Sequence, residues 1–174
     1  MRKIILSIVV LAAILLPANR IMAQATVTTA GAANIVAPIA LEETSSLSFG
    51  TMSVLSVTPG TCILSTSGLR TQTAGVNLSS ATPISKNAAY NVTGAVSTAY
   101  AVNLPASFDV INGSESMTVD ALKVKTTSSG VDGLTGTLSA TGTDNFTLGG
   151  TLNVKAAQIA KLYTGSFDVT VAYN

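Results

Sequence analysis

Beyond its first 25 residues the chain alternates apolar and polar positions, and no stretch sustains apolar spacing at three, four and seven. Strict alternation marks half-buried β-strands, because successive side chains on a strand point to opposite faces. Ile35, Ala37, Ile39 and Leu41 form one such set, Tyr90 and Val92 another, and Tyr100, Val102 and Leu104 a third. Met117 and Val119 share one phase, Leu122 and Val124 the other, with the change around Asp120-Ala121. A slip of one residue flips every side chain, so that change predicts a β-bulge or a switch of sheet. Phe167, Val169, Val171 and Tyr173 alternate with polar or small residues and predict the clearest strand. Asn153–Leu162 has the most helical composition and is short.

Turn residues separate these runs: Thr58-Pro59-Gly60, Ser67-Gly68, Thr82-Pro83, Leu104-Pro105, Asn112-Gly113, Ser129-Gly130 and Gly149-Gly150. Short strands punctuated in this way predict an all-β sandwich or barrel, and a parallel α/β design lacks its helices. At Gly149-Gly150 a three-residue loop, 149–151, would bring Phe146, Leu148, Leu152 and Val154 onto one face. The expectation is therefore a hairpin there, with a glycine in the left-handed conformation.

The first residues read differently. Arg2 and Lys3 precede an apolar run, Ile4–Leu16, broken only by Ser7. Pro17, Asn19-Arg20 and Ala23-Gln24-Ala25 follow. This is the pattern of a cleavable secretory signal peptide, 1–25, with cleavage after Ala23 or Ala25. The run is short of the roughly 20 residues that cross a bilayer, so the mature chain is expected to have no membrane span. One domain, 26–174, would remain. Loss of Arg2, Lys3 and Arg20 takes Lys+Arg from 9 to 6 against 8 acids, a formal charge of 6 − 8 = −2. Such a chain offers nucleic acid no electrostatic footprint.

Composition also limits the chemistry. Histidine is absent, which removes the usual Ser-His-Asp and Cys-His nucleophilic systems and His-based zinc sites. No phosphate-cradling Gly-rich loop ends in Lys-Ser/Thr. Glu42-Glu43 is the only adjacent acidic pair, and neighbours on a strand face opposite ways. Asp109, Glu115, Asp120, Asp132, Asp144 and Asp168 are scattered over turns and polar faces; Asp132 or Asp144 could hold a surface calcium ion, although no EF-hand ligand run exists. No catalytic, cofactor or metal residue is therefore assigned. The lone Cys62 reads as a buried small hydrophobe, with a reactive or intermolecular thiol as the alternative. The four Phe and four Tyr fit core positions better than an exposed carbohydrate platform. Asn-x-Ser/Thr sequons at Asn77, Asn91, Asn112 and Asn145 are expected by chance in so Thr- and Ser-rich a chain.

Ordered stretches carry a resemblance. They are Leu47-Ser48-Phe49-Gly50-Thr51-Met52, Tyr90-Asn91-Val92-Thr93-Gly94 and Tyr100-Ala101-Val102-Asn103-Leu104-Pro105. The strongest are Phe146–Val154 and Tyr163–Asn174. Together they resemble the bacterial secreted family known as domain of unknown function 4402. The resemblance implies a single immunoglobulin-like antiparallel β-sandwich, similar to adhesin and pilus-subunit domains, with a structural or adhesive function and no catalytic residue. Cys62 and the basic Lys155-Ala156-Ala157-Gln158 depart from that pattern.

Pilus subunits suggest a mechanism in which one subunit's N-terminal arm completes a neighbour's sheet. Ile35, Ala37, Ile39 and Leu41 would be the contact arm, and Tyr173 is the penultimate tyrosine that chaperone-bound subunits carry. The competing reading makes the same residues the domain's own first strand. Expected partners are copies of the chain or related surface subunits and a periplasmic chaperone. The expected address is the cell surface or medium, alternatively the periplasm. A monomeric secreted module that binds glycan or protein is the alternative function.

Overall fold

A computed structural model describes residues 24–174. The leader pattern and Ala23 lie outside the described residues; Ala25 is exposed and outside any strand. Residues 24–34 carry no regular secondary structure and are exposed. The following unit, Ile35–Asn174, holds twelve strands: β1 Ala40–Ser45, β2 Met52–Val54, β3 Gly60–Leu64, β4 Arg70–Gln72, β5 Val76–Leu78, β6 Ala88–Thr93, β7 Ala99–Asn103, β8 Ser107–Asn112, β9 Glu115–Thr126, β10 Thr135–Thr137, β11 Thr143–Val154 and β12 Thr170–Tyr173. Among the described residues no helix is long and apolar enough to cross a membrane.

All pairings are antiparallel, as the alternation predicts. The largest sheet is built around β11. On one edge β11 pairs first with β6, Thr143–Leu148, and then with β3, Gly150–Val154. On the other edge it pairs with β9 from Phe146 to Asn153. β1 extends the sheet beyond β6, β4 beyond β3 and β8 beyond β9. β10, β7 and β12 form a second sheet, β2 and β5 a third.

The two small sheets cover adjacent parts of one face of the large one. Tyr100 and Val102 of β7 and Leu138, just past β10, pack with Val92, Val124, Phe146 and Leu148. Val76 of β5 packs with Cys62, Val119, Leu152 and Val154. The result is an antiparallel β-sandwich with two contiguous cores, the first pinned by the cross-strand pair Tyr90–Phe146, stacked at 4.8 Å. The other face of β11 presents Asn145, Thr147, Thr151 and Asn153, the solvent side of a sheet buried on one face only. Arg70 ties edge strand β4 to the third sheet by donating to the carbonyls of Phe49, Thr51 and Ser79.

The phase change in β9 is a bulge. Gly149 faces Lys123 and Thr151 faces Asp120, so β9 carries one extra residue, and Ala121 takes a φ of 47°. Asn112-Gly113 turns β8 into β9, and Ser67-Gly68 turns β3 into β4. No helix occurs in Asn153–Leu162.

The Gly149-Gly150 hairpin is corrected: β11 runs straight through, and neither glycine has a positive φ. Phe146, Leu148, Gly150, Leu152 and Val154 share one parity, so the alternation needed no loop to stay in phase. Gly149 sits where β11 passes from β6 to β3, and a Cβ there would overlap the Leu64 carbonyl. A Cβ on Gly150 would lie 2.8 Å from the Leu122 side chain at the β9 bulge. Both glycines mark close approach, the other meaning of glycine in a strand.

Candidate functional site

The alternating arm divides in two. Leu41 lies in β1 opposite Val92, and Ile39 and Leu41 are half-buried against the first core. Ile35 is 95% exposed, Val36 51%, and Ala37 is exposed. The reason lies in the partner strand. The β1–β6 ladder ends with Ala40 opposite Thr93, after which Gly94 leaves the sheet. Residues 24–39 find no strand among the described residues to pair with on that side, and Pro38 has no N–H to give.

The segment is held where it enters the domain. The Tyr173 hydroxyl donates to the Ala37 carbonyl at 2.7 Å and accepts from the Ala95 amide at 2.6 Å. Glycine is required beneath it, because a Cβ on Gly94 would overlap the phenolic oxygen. Val171 and Tyr173 are half-buried on the first core, with Phe167 and Val169 ahead of them. The predicted final strand thus keeps its phase, although its ladder with β7 starts only at Thr170.

A second polar arrangement lies inside. Asp144 is 7% exposed and accepts from the Tyr100 hydroxyl at 2.9 Å and from Ser128 Oγ at 2.6 Å. Its other oxygen accepts from the Asn145 amide at 2.9 Å. Burial pushes the Tyr100 phenol well above its ordinary range, and the hydrogen bond to the Asp144 carboxylate pushes it further. Tyr100 therefore remains a donor at any ordinary pH. A phenol and a carboxylate in contact can serve as an acid–base pair, but Tyr100 is fully buried. The pair joins β7 of the second sheet to β11 of the large sheet and offers no room for a substrate. Asp144 is thus not on a polar face as expected. Its parity with Phe146 and Leu148 is the signal that could have placed it inward.

The remaining candidates stay apart. Glu42 and Glu43 are both exposed on β1, with a register irregularity after Glu43. Asp132 accepts from Thr66 Oγ1 at 2.9 Å. Among the described residues no group of three His, Cys, Asp or Glu could hold a metal ion. Cys62 is fully buried, as read from the sequence, and desolvation pushes its thiol up to about 11 despite the opposing charge of Arg70. Every aromatic ring is buried or half-buried.

These features define a small antiparallel β-sandwich whose N-terminal segment continues past the first strand it can pair. The chain belongs to the family described as domain of unknown function (DUF4402), whose family model matches residues 39–173. The match opens at the first residue of the segment that packs on the core and closes at the tyrosine that holds it. No curated protein and no solved structure matches the chain.

Proposed function

We propose that the chain is an exported, non-enzymatic surface protein of a bacterium, structural or adhesive, and assembled in the manner of a fimbrial subunit. One observation carries the reading. The segment ahead of β1 holds apolar side chains, Val27 85% exposed and Ile35 95% exposed, with no partner strand among the described residues on the β6 side. Apolar alternation next to a sandwich with open strand edges suits addition to the sheet of a second copy. The leader pattern supports export, and the absence of histidine makes hydrolytic chemistry of the usual kind a poor fit. A periplasmic chaperone would cover the segment before assembly.

The test is an unboiled denaturing gel of the exported protein together with surface labelling of intact cells. A ladder of multiples and a labelled surface are expected. Soluble monomer in the medium, with neither, contradicts the reading.

A further inference from the structure

The chain crosses between the large and second sheets twice at one end of the sandwich. The β7–β8 connection carries it from Asn103 to Ser107, and the stretch before β12 carries it back. Thr164 bridges to Ile111 on β8, and the ladder with β7 begins at Thr170. Gly165 lets the return stretch lie against β8, since a Cβ there would overlap the Asp109 carbonyl. Phe108, at the start of β8, and Phe167, on the return stretch, stack at 4.3 Å. Between the crossings lies a shallow, open groove of about 430 Å³.

Leu104, Phe108 and Phe167 give this groove an apolar floor, and Asn103, Ser107, Ser166 and Asp168 stand along it, exposed. The four rim side chains make no hydrogen bond to any described residue, so their donors and acceptors are open to a ligand. Among the described residues no Lys or Arg lines the groove, which carries one carboxylate. The Asp168 carboxylate, with no cation beside it in the groove, disfavours an anionic ligand. The complement is a neutral molecule with many hydroxyls and an apolar C–H face.

We infer that this groove between the two sheet crossings is a saccharide-binding site. Asp168 accepts from adjacent sugar hydroxyls, Asn103 donates and accepts, and the exposed parts of Phe108 and Phe167 meet the C–H face of the ring. The site deepens the adhesive half of the proposed function and rests on it, yet it requires no assembly.

Calorimetric titration of the mature chain with glucose, galactose, mannose, N-acetylglucosamine, lactose and cellobiose tests it. At least one of these is expected to bind. Asp168→Asn should weaken that affinity by about tenfold or more and Asn103→Ala by about two- to tenfold, the losses expected when a hydrogen bond to a charged and to a neutral group is removed. Glu42→Gln, on β1, should leave it unchanged. All three positions are exposed, and unchanged unfolding temperatures verify the fold. No binding by any of the six sugars, or binding that both groove substitutions leave intact, overturns the proposal. A gel ladder without sugar binding refutes this site alone; sugar binding by a chain that never assembles refutes only the assembly.

Discussion

Tyr173 and Ala37, 136 residues apart in sequence, are joined by one hydrogen bond from the phenolic hydroxyl to the backbone carbonyl. The same oxygen accepts from Ala95. One side chain of the last strand thus fixes both the entry of the N-terminal segment and the turn after β6. Tyr173→Phe removes both bonds and keeps the ring. It should cost about 1–2 kcal/mol in urea unfolding and speed proteolytic cleavage before Ile39. Unchanged cleavage would show that the segment is held by something else.

The Asp144 cluster makes a sharper stability prediction. Tyr100→Phe takes one donor from a buried carboxylate and should cost about 1.5–3 kcal/mol. Asp144→Ala should cost at least as much, because it leaves the fully buried phenol without its acceptor. The double variant should lose less than the sum of the two, since they share one interaction. Additive losses by urea titration would mean that the two groups do not support each other.

Gly149→Ala tests the continuous strand. In a hairpin loop with a left-handed glycine an added methyl would cost only about 1 kcal/mol of backbone strain; between β11 and the Leu64 carbonyl it must displace backbone. The expected loss is about 1–3 kcal/mol or more. Gly31→Ala, with nothing within 4 Å, is the neutral control. Equal thermal midpoints for the two variants would contradict the close approach.

Alkaline stability should follow Cys62. Its thiol is raised from an ordinary 9.0 to about 11 in the fold. As pH rises past 9, the unfolded chain sheds a proton that the fold retains. The stability present below pH 9 is therefore lost progressively up to about 11. Burial raises Tyr90 from 10.0 to about 12 and continues the decline in the next window. Cys62→Ala should be about 1 kcal/mol less stable at neutral pH and should show a flatter decline between pH 9 and 11. Parallel declines would assign the effect to other groups.

Parity was the legible part of this sequence. One buried face forces alternation, so the phases of β6, β7, β12 and both halves of β9 could be read before any pairing was known. The β9 bulge was legible for the same reason. Gly149-Gly150 misled because a glycine pair means either a turn or a close backbone approach, and the apolar parity is the same in both cases. Ile35–Leu41 alternate evenly, yet only Ile39 and Leu41 pack. That difference depends on where β6 ends, which residues 35–41 do not encode. Asp144 reads outward by residue type, and its hydrogen-bonding partners Tyr100 and Ser128 lie too far along the chain to signal otherwise. The groove between the sheet crossings is assembled from residues about 60 positions apart and had no local pattern to find.

The most direct test of the account is the mass in solution of the mature chain beside a chain that begins at Ile39, measured by light scattering after chromatography. Multimers are expected for the mature chain and a folded monomer for the shortened one, because only the former carries Val27, Ile35 and Val36. Monomers in both cases, or multimers in both, would contradict it.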